Sequence, residues 1–297
     1  MTPQERQEIL GRLAASEVAS LKAMEIDAQS TKIEFDAWLK VINVLSIPAA
    51  NAAAVVDTLI EHLQDSDLTI NFKADRFFGT MPSGSFGNTF QQGNSPSGYL
   101  QTRDRVEEKL FDYSGTSGRT GPLSVLARIK VFGSRTNSSN TDNVFFKSAM
   151  RPKYGALNYT GNTNGAASFY GRSYMLLKEY VKHNSTFTAK DSFGYGSDPD
   201  AGNRTANYHN LGRLIVNMNN DMLARLYNAA TGANLPVTAN SGALNYLEAQ
   251  IHASIEFNRD IRTVCIANSE LGGANSRQIR ENILKFGRKN SVQVRFI

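Results

Sequence analysis

The sequence lacks the residues that several common types of site require. It contains one cysteine, Cys265, which excludes an intrachain disulfide and a cysteine-based zinc site. Its four histidines lie far apart, without the short spacings of a metal-binding helix, and we expect no metal site. The chain has no G-x-x-x-x-G-K-[ST], G-x-G-x-x-G, G-x-S-x-G or H-E-x-x-H sequence. This excludes phosphate-loop kinases, Rossmann dehydrogenases, α/β-hydrolases and zincins.

Long apolar runs are also missing. No stretch approaches the roughly 18 uninterrupted apolar residues of a membrane helix. Glutamates occur throughout the first 25 residues, where a signal peptide would have its apolar region, so we expect neither a membrane span nor conventional export. With 41% apolar and 20% charged residues, the chain can bury a core. Its formal net charge of +5 is a mild bias towards phosphates, acidic proteins or nucleic acid, and it assigns no partner.

The hydrophobic period divides the chain into two predicted units. Over residues 1–66, apolar residues recur at helical spacing, and Thr31 with Glu34 forms a capping box, which predicts a small unit of three helices. At Leu68 the period changes from 3.6 to 2, which indicates a strand. We therefore predict a helical N-terminal unit at 1–66 and a mixed domain at 67–297.

The most informative predicted strand covers residues 248–257. Its apolar residues share one face, while Glu248, Gln250 and His252 share the other, so the strand would offer a row of polar groups to solvent or to a cleft. Further strands are predicted at 125–132, 170–178, 185–190, 262–267 and 292–296. Helices are predicted at 103–111, from 211 to near Gly232, and at 276–286.

Five short polar motifs lie at the ends of predicted strands. They are K-A-D-R at 73–76, F-Q-Q-G-N-S at 90–95, R-P-K-Y-G-A-L-N at 151–158, F-T-A-K-D-S at 187–192 and E-A-Q-I-H at 248–252. In this order they resemble the CteC-like family of bacterial type III effectors, which ADP-ribosylate a threonine of ubiquitin with NAD. The resemblance covers residues 68 to about 265. The R-P-K-Y-G-A-L-N block is its most specific part, while Lys73 and Ala74 replace the histidine and proline usual in the family.

The resemblance implies both a fold and an activity. The fold is α+β: the helical N-terminal unit followed by an ADP-ribosyltransferase-like domain of two packed, mostly antiparallel sheets with an NAD cleft between them. The activity is transfer of ADP-ribose from NAD to a threonine hydroxyl of a host protein, ubiquitin, with release of nicotinamide. The chain would be a secreted bacterial effector acting in the host cytoplasm. We expect a monomer that binds neither nucleic acid nor membranes.

Residues within the motifs suit this chemistry. Cleavage of the nicotinamide–ribose bond develops positive charge on the ribose, which the Glu248 carboxylate could stabilise while Gln250 orients the ribose or the acceptor. Arg76, oriented by Asp75, offers a planar donor fork to the pyrophosphate. Tyr154 could stack on nicotinamide. The other residues predicted to bind NAD are Phe90, Gly93, Ser95, Gly155, Asp191 and Ser192.

Other interpretations remain open from the sequence. The activity could be that of an NAD glycohydrolase, or the chain could be a non-catalytic module that binds an acidic protein or nucleic acid. Arg76 and Asp75 could form a surface ion pair, and Glu248 could lie on a solvated strand face. Tyr154 could be a packing residue, and Asp191-Ser192 could be a turn or a helix cap.

Overall fold

The computed structural model describes residues 30–89, 96–111, 151–196, 198, 204–237, 245–252 and 254–297. The first predicted helix and the strand predicted at 125–132 lie outside the described residues. So do three of the residues predicted to bind NAD, Phe90, Gly93 and Ser95.

Helices and strands both occur along the described chain. The α-helices are α1 Ser30–Leu45, α2 Ala52–Asp65, α3 Ala74–Phe77, α4 Ser97–Phe111, α5 Gly212–Asn217, α6 Asn220–Thr231, α7 Phe257–Asp260 and α8 Ser276–Asn290. The strands are β1 Leu68–Phe72, β2 Ser85–Phe86, β3 Lys153–Leu157, β4 Ser173–Leu177, β5 Ser185–Thr188, β6 Ala206–Asn207, β7 Leu247–Ile251, β8 Ile255–Glu256, β9 Ile261–Ile266 and β10 Gln293–Phe296. None of the helices in this part of the chain is long and apolar enough to cross a membrane.

The strands confirm the predicted α+β class with a mostly antiparallel sheet. Eight of them form one sheet in the order β10-β9-β4-β1-β3-β7-β5-β6, in which only the β9–β10 pair is parallel. β2 and β8 form a separate two-stranded sheet. The prediction was two packed sheets, whereas almost all the described strands belong to one of them. The reason is β7, which pairs with β3 on one side and β5 on the other and so joins the strands into one ladder.

The helices before residue 66 share their core with the sheet. Val41 of α1 and Leu59 of α2 belong to the same buried cluster as Met222 of α6 and Phe187 of β5, and each is fully or almost fully buried. Burial of one such side chain contributes about 1.5–3 kcal/mol. The domain boundary near residue 66 stays a prediction, and the helices described before it pack as part of the mixed core.

The helix predicted from Leu211 to near Gly232 is two helices, the second of which ends at Thr231 with Gly232 in the left-handed conformation. Met218 adopts an extended backbone conformation that ends α5. The side chain of Asn219 then accepts a hydrogen bond from the Met222 N–H at 2.8 Å and caps α6. The apolar period continues across this break, so periodicity alone predicted one helix, whereas the capping residue marks the second start.

The strand predicted at 248–257 ends earlier than expected. β7 stops at Ile251, and Phe257 begins α7 instead of continuing a strand. Its polar face is also not open to solvent: Glu248 is 2% exposed, and Gln250 and His252 are fully buried. Phe111 of α4 packs on the His252 ring and covers this face. Buried polar side chains need hydrogen-bond partners, so this face must carry an internal network.

Glu270 connects the end of β1 to the beginning of β4. Its carboxylate accepts hydrogen bonds from the backbone N–H groups of Ala74 at 2.9 Å and Arg172 at 2.6 Å, and from the Ser173 hydroxyl at 2.7 Å. Partial burial would raise the pKa of Glu270, but these hydrogen bonds outweigh burial and lower the pKa below its ordinary value of 4.5. The ionised carboxylate therefore stabilises the folded chain.

We expect Glu270→Gln to lower the free energy of unfolding by about 1–2 kcal/mol at neutral pH, because an amide NH₂ cannot accept these N–H donors. Since the pKa is lower in the folded chain, the carboxylate's contribution is present above pH 4.5 and is lost as the pH falls through the folded value. Urea unfolding of both proteins should therefore converge at acid pH. Glu281→Gln, which alters an exposed carboxylate of α8, is the control. Equal stability of wild type and Glu270→Gln at neutral pH would contradict the assignment.

Candidate functional site

A cluster of polar and aromatic side chains forms where β7 and β3 meet α4 and the 3₁₀ turn Ser192–Tyr195. Glu248 of β7 is at its centre, opposite Ala156 of β3 and Thr188 of β5 in the sheet. The cluster brings together residues that are far apart in sequence, because the strand order places β7 between β3 and β5.

Three donors fix the Glu248 carboxylate. Oε1 accepts hydrogen bonds from the Ser192 backbone N–H at 3.1 Å and from Nε2 of Gln250 at 2.8 Å. Oε2 accepts one from the Tyr246 hydroxyl at 2.9 Å. A carboxylate oxygen can accept two hydrogen bonds, so Oε2 keeps capacity for a further donor.

Burial is the main cause of the shifted pKa of Glu248. Burial, with the nearby Asp191 carboxylate, raises the pKa of Glu248 from 4.5 to about 7, against the opposing effects of Arg103 and of the Ser192 and Gln250 hydrogen bonds. Near neutral pH the carboxyl group therefore exchanges between its neutral and ionised forms. Groups poised in this way are typical of catalytic sites.

Gln250 positions Glu248 through a row of buried hydrogen bonds. Its Nε2 also donates to the Thr188 hydroxyl at 2.9 Å, and its Oε1 accepts from the Thr186 hydroxyl at 2.8 Å. Thr186 contacts Nε2 of His252 at 2.9 Å. Because the Thr186 proton is donated to Gln250, His252 must donate from Nε2. Burial, with Lys153 nearby, lowers the pKa of His252 to about 3, so this ring is neutral.

Arg103 of α4 is the cation of the cluster. It is 3% exposed, its Nη1 donates to the Ser192 hydroxyl at 3.0 Å, and its Nη2 lies 3.6 Å from Oδ1 of Asp191. Its Nε has no hydrogen-bond acceptor among the described residues. Nε is also enclosed by neighbouring side chains, so its missing acceptor is a cost of burial and not an open binding position.

Aromatic rings surround this guanidinium. Its central carbon lies 4.2 Å from the ring centroid of Tyr154 and 5.0 Å from that of Phe193. Phe193 in turn stacks on Tyr99, with centroids 5.0 Å apart and ring planes within 7°. The cation–π contacts hold the arginine in one orientation.

The Glu107 carboxylate supports Arg103 indirectly, through Tyr154. Glu107 of α4 accepts hydrogen bonds from the Tyr154 hydroxyl at 2.6 Å and from Nε of Arg151 at 2.7 Å. It therefore fixes the tyrosine ring against which Arg103 lies. Tyr154 belongs to the cluster, and its ring lies against Arg103. Stacking of this ring on nicotinamide stays a prediction.

Exposed aromatic side chains lie over the Glu248 side of the cluster. Phe169 and Tyr170 are 44% and 50% exposed, and their rings pack against Tyr246 with centroids 5.2 and 6.3 Å away. The Tyr170 hydroxyl also donates to Asp191 at 3.4 Å. We call Phe169, Tyr170 and Tyr246 the aromatic shelf.

Five of the predicted site residues lie together in this cluster: Glu248, Gln250, Tyr154, Asp191 and Ser192. Asp191 caps the 3₁₀ turn, as one of the two interpretations predicted, by accepting from the Phe193 N–H at 2.8 Å, and its carboxylate also faces Arg103. Binding of NAD by Asp191 and Ser192 stays a prediction. Gly155 has a packing role. A Cβ atom there would lie 2.7 Å from the Thr69 carbonyl oxygen, so glycine permits the close approach of β3 to β1.

Arg76 and Asp75 lie elsewhere. Both are exposed on α3, where Asp75 accepts a hydrogen bond from the Arg76 backbone N–H at 2.9 Å. α3 follows the last residue of β1, whereas Glu248 lies level with Thr69 near the beginning of β1. No described contact joins Arg76 to the cluster. Sequence reasoning instead missed Arg103, although Tyr99, Arg103 and Glu107 recur every four residues on one face of a helix.

A comparison with known families covers part of this site. Residues 100–206 match a family described as "Protein of unknown function (DUF3626)". The chain is similar to that family over about a third of its length. The matched segment includes Arg103, Glu107, Tyr154, Asp191 and Ser192, while Glu248 lies beyond it. No curated protein matches the chain.

The described residues contain no group of three or more His, Cys, Asp or Glu side chains arranged to hold a metal ion.

The raised pKa of Glu248 predicts a pH-dependent effect on stability. Since the folded pKa of about 7 exceeds the ordinary 4.5, the group's stabilising contribution is complete below 4.5 and is lost as the pH rises through about 7. Glu248→Gln resembles the protonated form. We therefore expect the variant to exceed wild type in unfolding free energy by about 1–3 kcal/mol near pH 8, and by less near pH 5. Equal destabilisation at both pH values, measured by urea unfolding, would contradict this.

Proposed function

We propose that the chain is an enzyme that binds NAD at the Glu248 cluster and transfers ADP-ribose to a threonine hydroxyl of a protein, ubiquitin. One observation carries the proposal: a buried carboxylate with a pKa of about 7 lies near a buried arginine and is hydrogen-bonded to Tyr246, the buried ring of the aromatic shelf, whose other two rings are exposed. A glycosyl-transfer site needs an anion for the ribosyl cation, a cation for the phosphates and flat apolar surface for the rings.

Glu248 supplies the anion. When the bond between C1′ of the ribose and the nicotinamide nitrogen breaks, its electron pair leaves with nicotinamide and positive charge develops on the ribose. The ionised Glu248 stabilises this charge, and the remaining capacity of Oε2 suits a ribose hydroxyl. The acceptor oxygen then bonds to C1′ and loses its proton to a base or to water.

Arg103 supplies the cation. The 3.6 Å separation between its Nη2 and Oδ1 of Asp191 is longer than a hydrogen bond, so a pyrophosphate oxygen can compete with Asp191 for the guanidinium. The Tyr154 and Phe193 rings restrict its orientation, so little side-chain entropy is lost when the anion binds. The exposed rings of Phe169 and Tyr170 provide a stacking surface for one of the two flat ring systems of NAD.

Incubation with NAD labelled separately on the nicotinamide and the adenylate tests the proposal. With ubiquitin present, we expect release of labelled nicotinamide and transfer of the adenylate label to protein. Release of nicotinamide with free ADP-ribose would instead identify a glycohydrolase. NAD that stays intact would contradict both enzymes and favour a binding module.

A further inference from the structure

The basic excess of the chain is concentrated in one place. Residues 276–297, which form α8 and β10, contain one acidic residue, Glu281, and the six basic residues Arg277, Arg280, Lys285, Arg288, Lys289 and Arg295. The net side-chain charge of this segment is +5, equal to that of the whole chain, so the other residues sum to zero. A charge concentrated on one element pair defines a surface with a strong local potential.

These cations face solvent. All six are exposed. Arg277 forms an ion pair with Glu281, the acidic residue of the segment. Apolar side chains lie among them: Leu284 is 45% exposed and Phe296 is 38% exposed, with Arg280 lying 5.3 Å above the Phe296 ring. We call the exposed faces of α8 and β10 the basic edge.

The backbone of β10 has hydrogen-bonding capacity on its outer side. β10 is the end strand of the eight-stranded sheet, and no other described strand pairs with its outer edge. On the inner side, the Ile297 N–H donates to the Ile266 carbonyl and the Ile297 carbonyl accepts from Asn268. Because alternate residues of a parallel strand bond the same neighbour, the N–H and C=O groups of Val294 and Phe296 point outward.

We propose that the basic edge binds an extended acidic peptide segment of a partner protein, which adds to the sheet as a strand beside β10. Backbone hydrogen bonds to Val294 and Phe296 would provide the register. The side chains of Val294 and Phe296 face α8, so acidic side chains on that face of the added strand would meet the cations of α8. The exposed strand edge and the apolar side chains of Leu284 and Phe296 favour a peptide over a nucleic acid, whose phosphates need neither.

The basic edge is separate from the Glu248 cluster. β10 lies five strands away from β7 in the sheet order, which corresponds to roughly 24 Å at about 4.8 Å between strands. The proposal therefore does not depend on NAD chemistry, and its failure would leave the proposed function untouched.

Fluorescence anisotropy with the full chain tests the charge requirement. The probes are a labelled peptide of alternating glutamate and valine and the matching peptide of alternating glutamine and valine. We expect the glutamate peptide to bind at least tenfold more tightly, with an affinity that falls as salt is added. Arg280→Glu/Arg288→Glu should weaken binding at least tenfold. Lys32→Glu/Lys73→Glu, which changes the net charge equally at exposed positions elsewhere, should not.

The same probes test strand addition without altering the protein. A glutamate–valine peptide that is N-methylated at every second residue cannot donate along one edge, and we expect it to bind at least tenfold more weakly. Bound unmethylated peptide should slow hydrogen exchange at the outward N–H groups of Val294 and Phe296. Equal binding of the methylated peptide, or equal binding of a single-stranded oligonucleotide of the same charge, would overturn the proposal.

Discussion

Glu248→Gln should lower the turnover of NAD by about 100-fold or more while changing NAD affinity by no more than a few-fold. Glutamine keeps the shape of the side chain and can still be held by Gln250, Ser192 and Tyr246, but it carries no charge to stabilise the ribosyl cation. Turnover is measured as nicotinamide release, and affinity by titration calorimetry.

The matched control for this variant is Glu281→Gln, which makes the same chemical change at an exposed position of α8 and should retain wild-type turnover. Urea unfolding shows whether Glu248→Gln is folded, and we expect the variant to be more stable than wild type near pH 8. Near-normal nicotinamide release by a folded Glu248→Gln protein would remove Glu248 from the catalytic step.

Arg103→Ala should weaken NAD binding by about 30-fold or more, because the pyrophosphate would lose a preoriented guanidinium. Arg103→Lys should restore little of the affinity, since an ammonium group has neither the planar donor fork nor the same contact with the Tyr154 ring. Titration calorimetry measures both. The loss should appear in affinity more than in the turnover of saturated enzyme.

Arg76→Ala is the matched control for Arg103, because it removes the arginine that the sequence motifs favoured but that lies exposed on α3. We expect its NAD affinity to stay within a few-fold of wild type. The opposite pattern, with weak binding in Arg76→Ala and normal binding in Arg103→Ala, would move the pyrophosphate to α3.

Local patterns predicted the elements better than they predicted the site. The alternation of apolar and polar residues located β7 because a strand shows this period within a few residues. The same alternation continues in the sequence past Ile251, where the chain leaves the sheet. Likewise, the apolar period ran through Met218, where one helix ends and another begins. A period reports which residues are apolar, whereas hydrogen bonding and capping decide where an element stops.

The position of Arg103 could not be predicted from such patterns. It lies 89 residues before its hydrogen-bond partner Ser192, and the two meet because β5 and β7 are neighbours in the sheet while α4 packs on the 3₁₀ turn after β5. Arg76 was favoured because it follows the first strand directly. The strand register separates Arg76 from Glu248, because α3 lies beyond the end of β1, whereas Glu248 is level with Thr69 near its beginning.

Intact-mass analysis of ubiquitin after incubation with the protein and NAD tests the central claim most directly. We predict that a fraction of the ubiquitin gains the mass of one ADP-ribosyl group and that this gain requires NAD. It should be absent when Glu248→Gln replaces the wild-type chain. Ubiquitin of unchanged mass, in the presence of folded wild-type protein and intact NAD, would contradict the account.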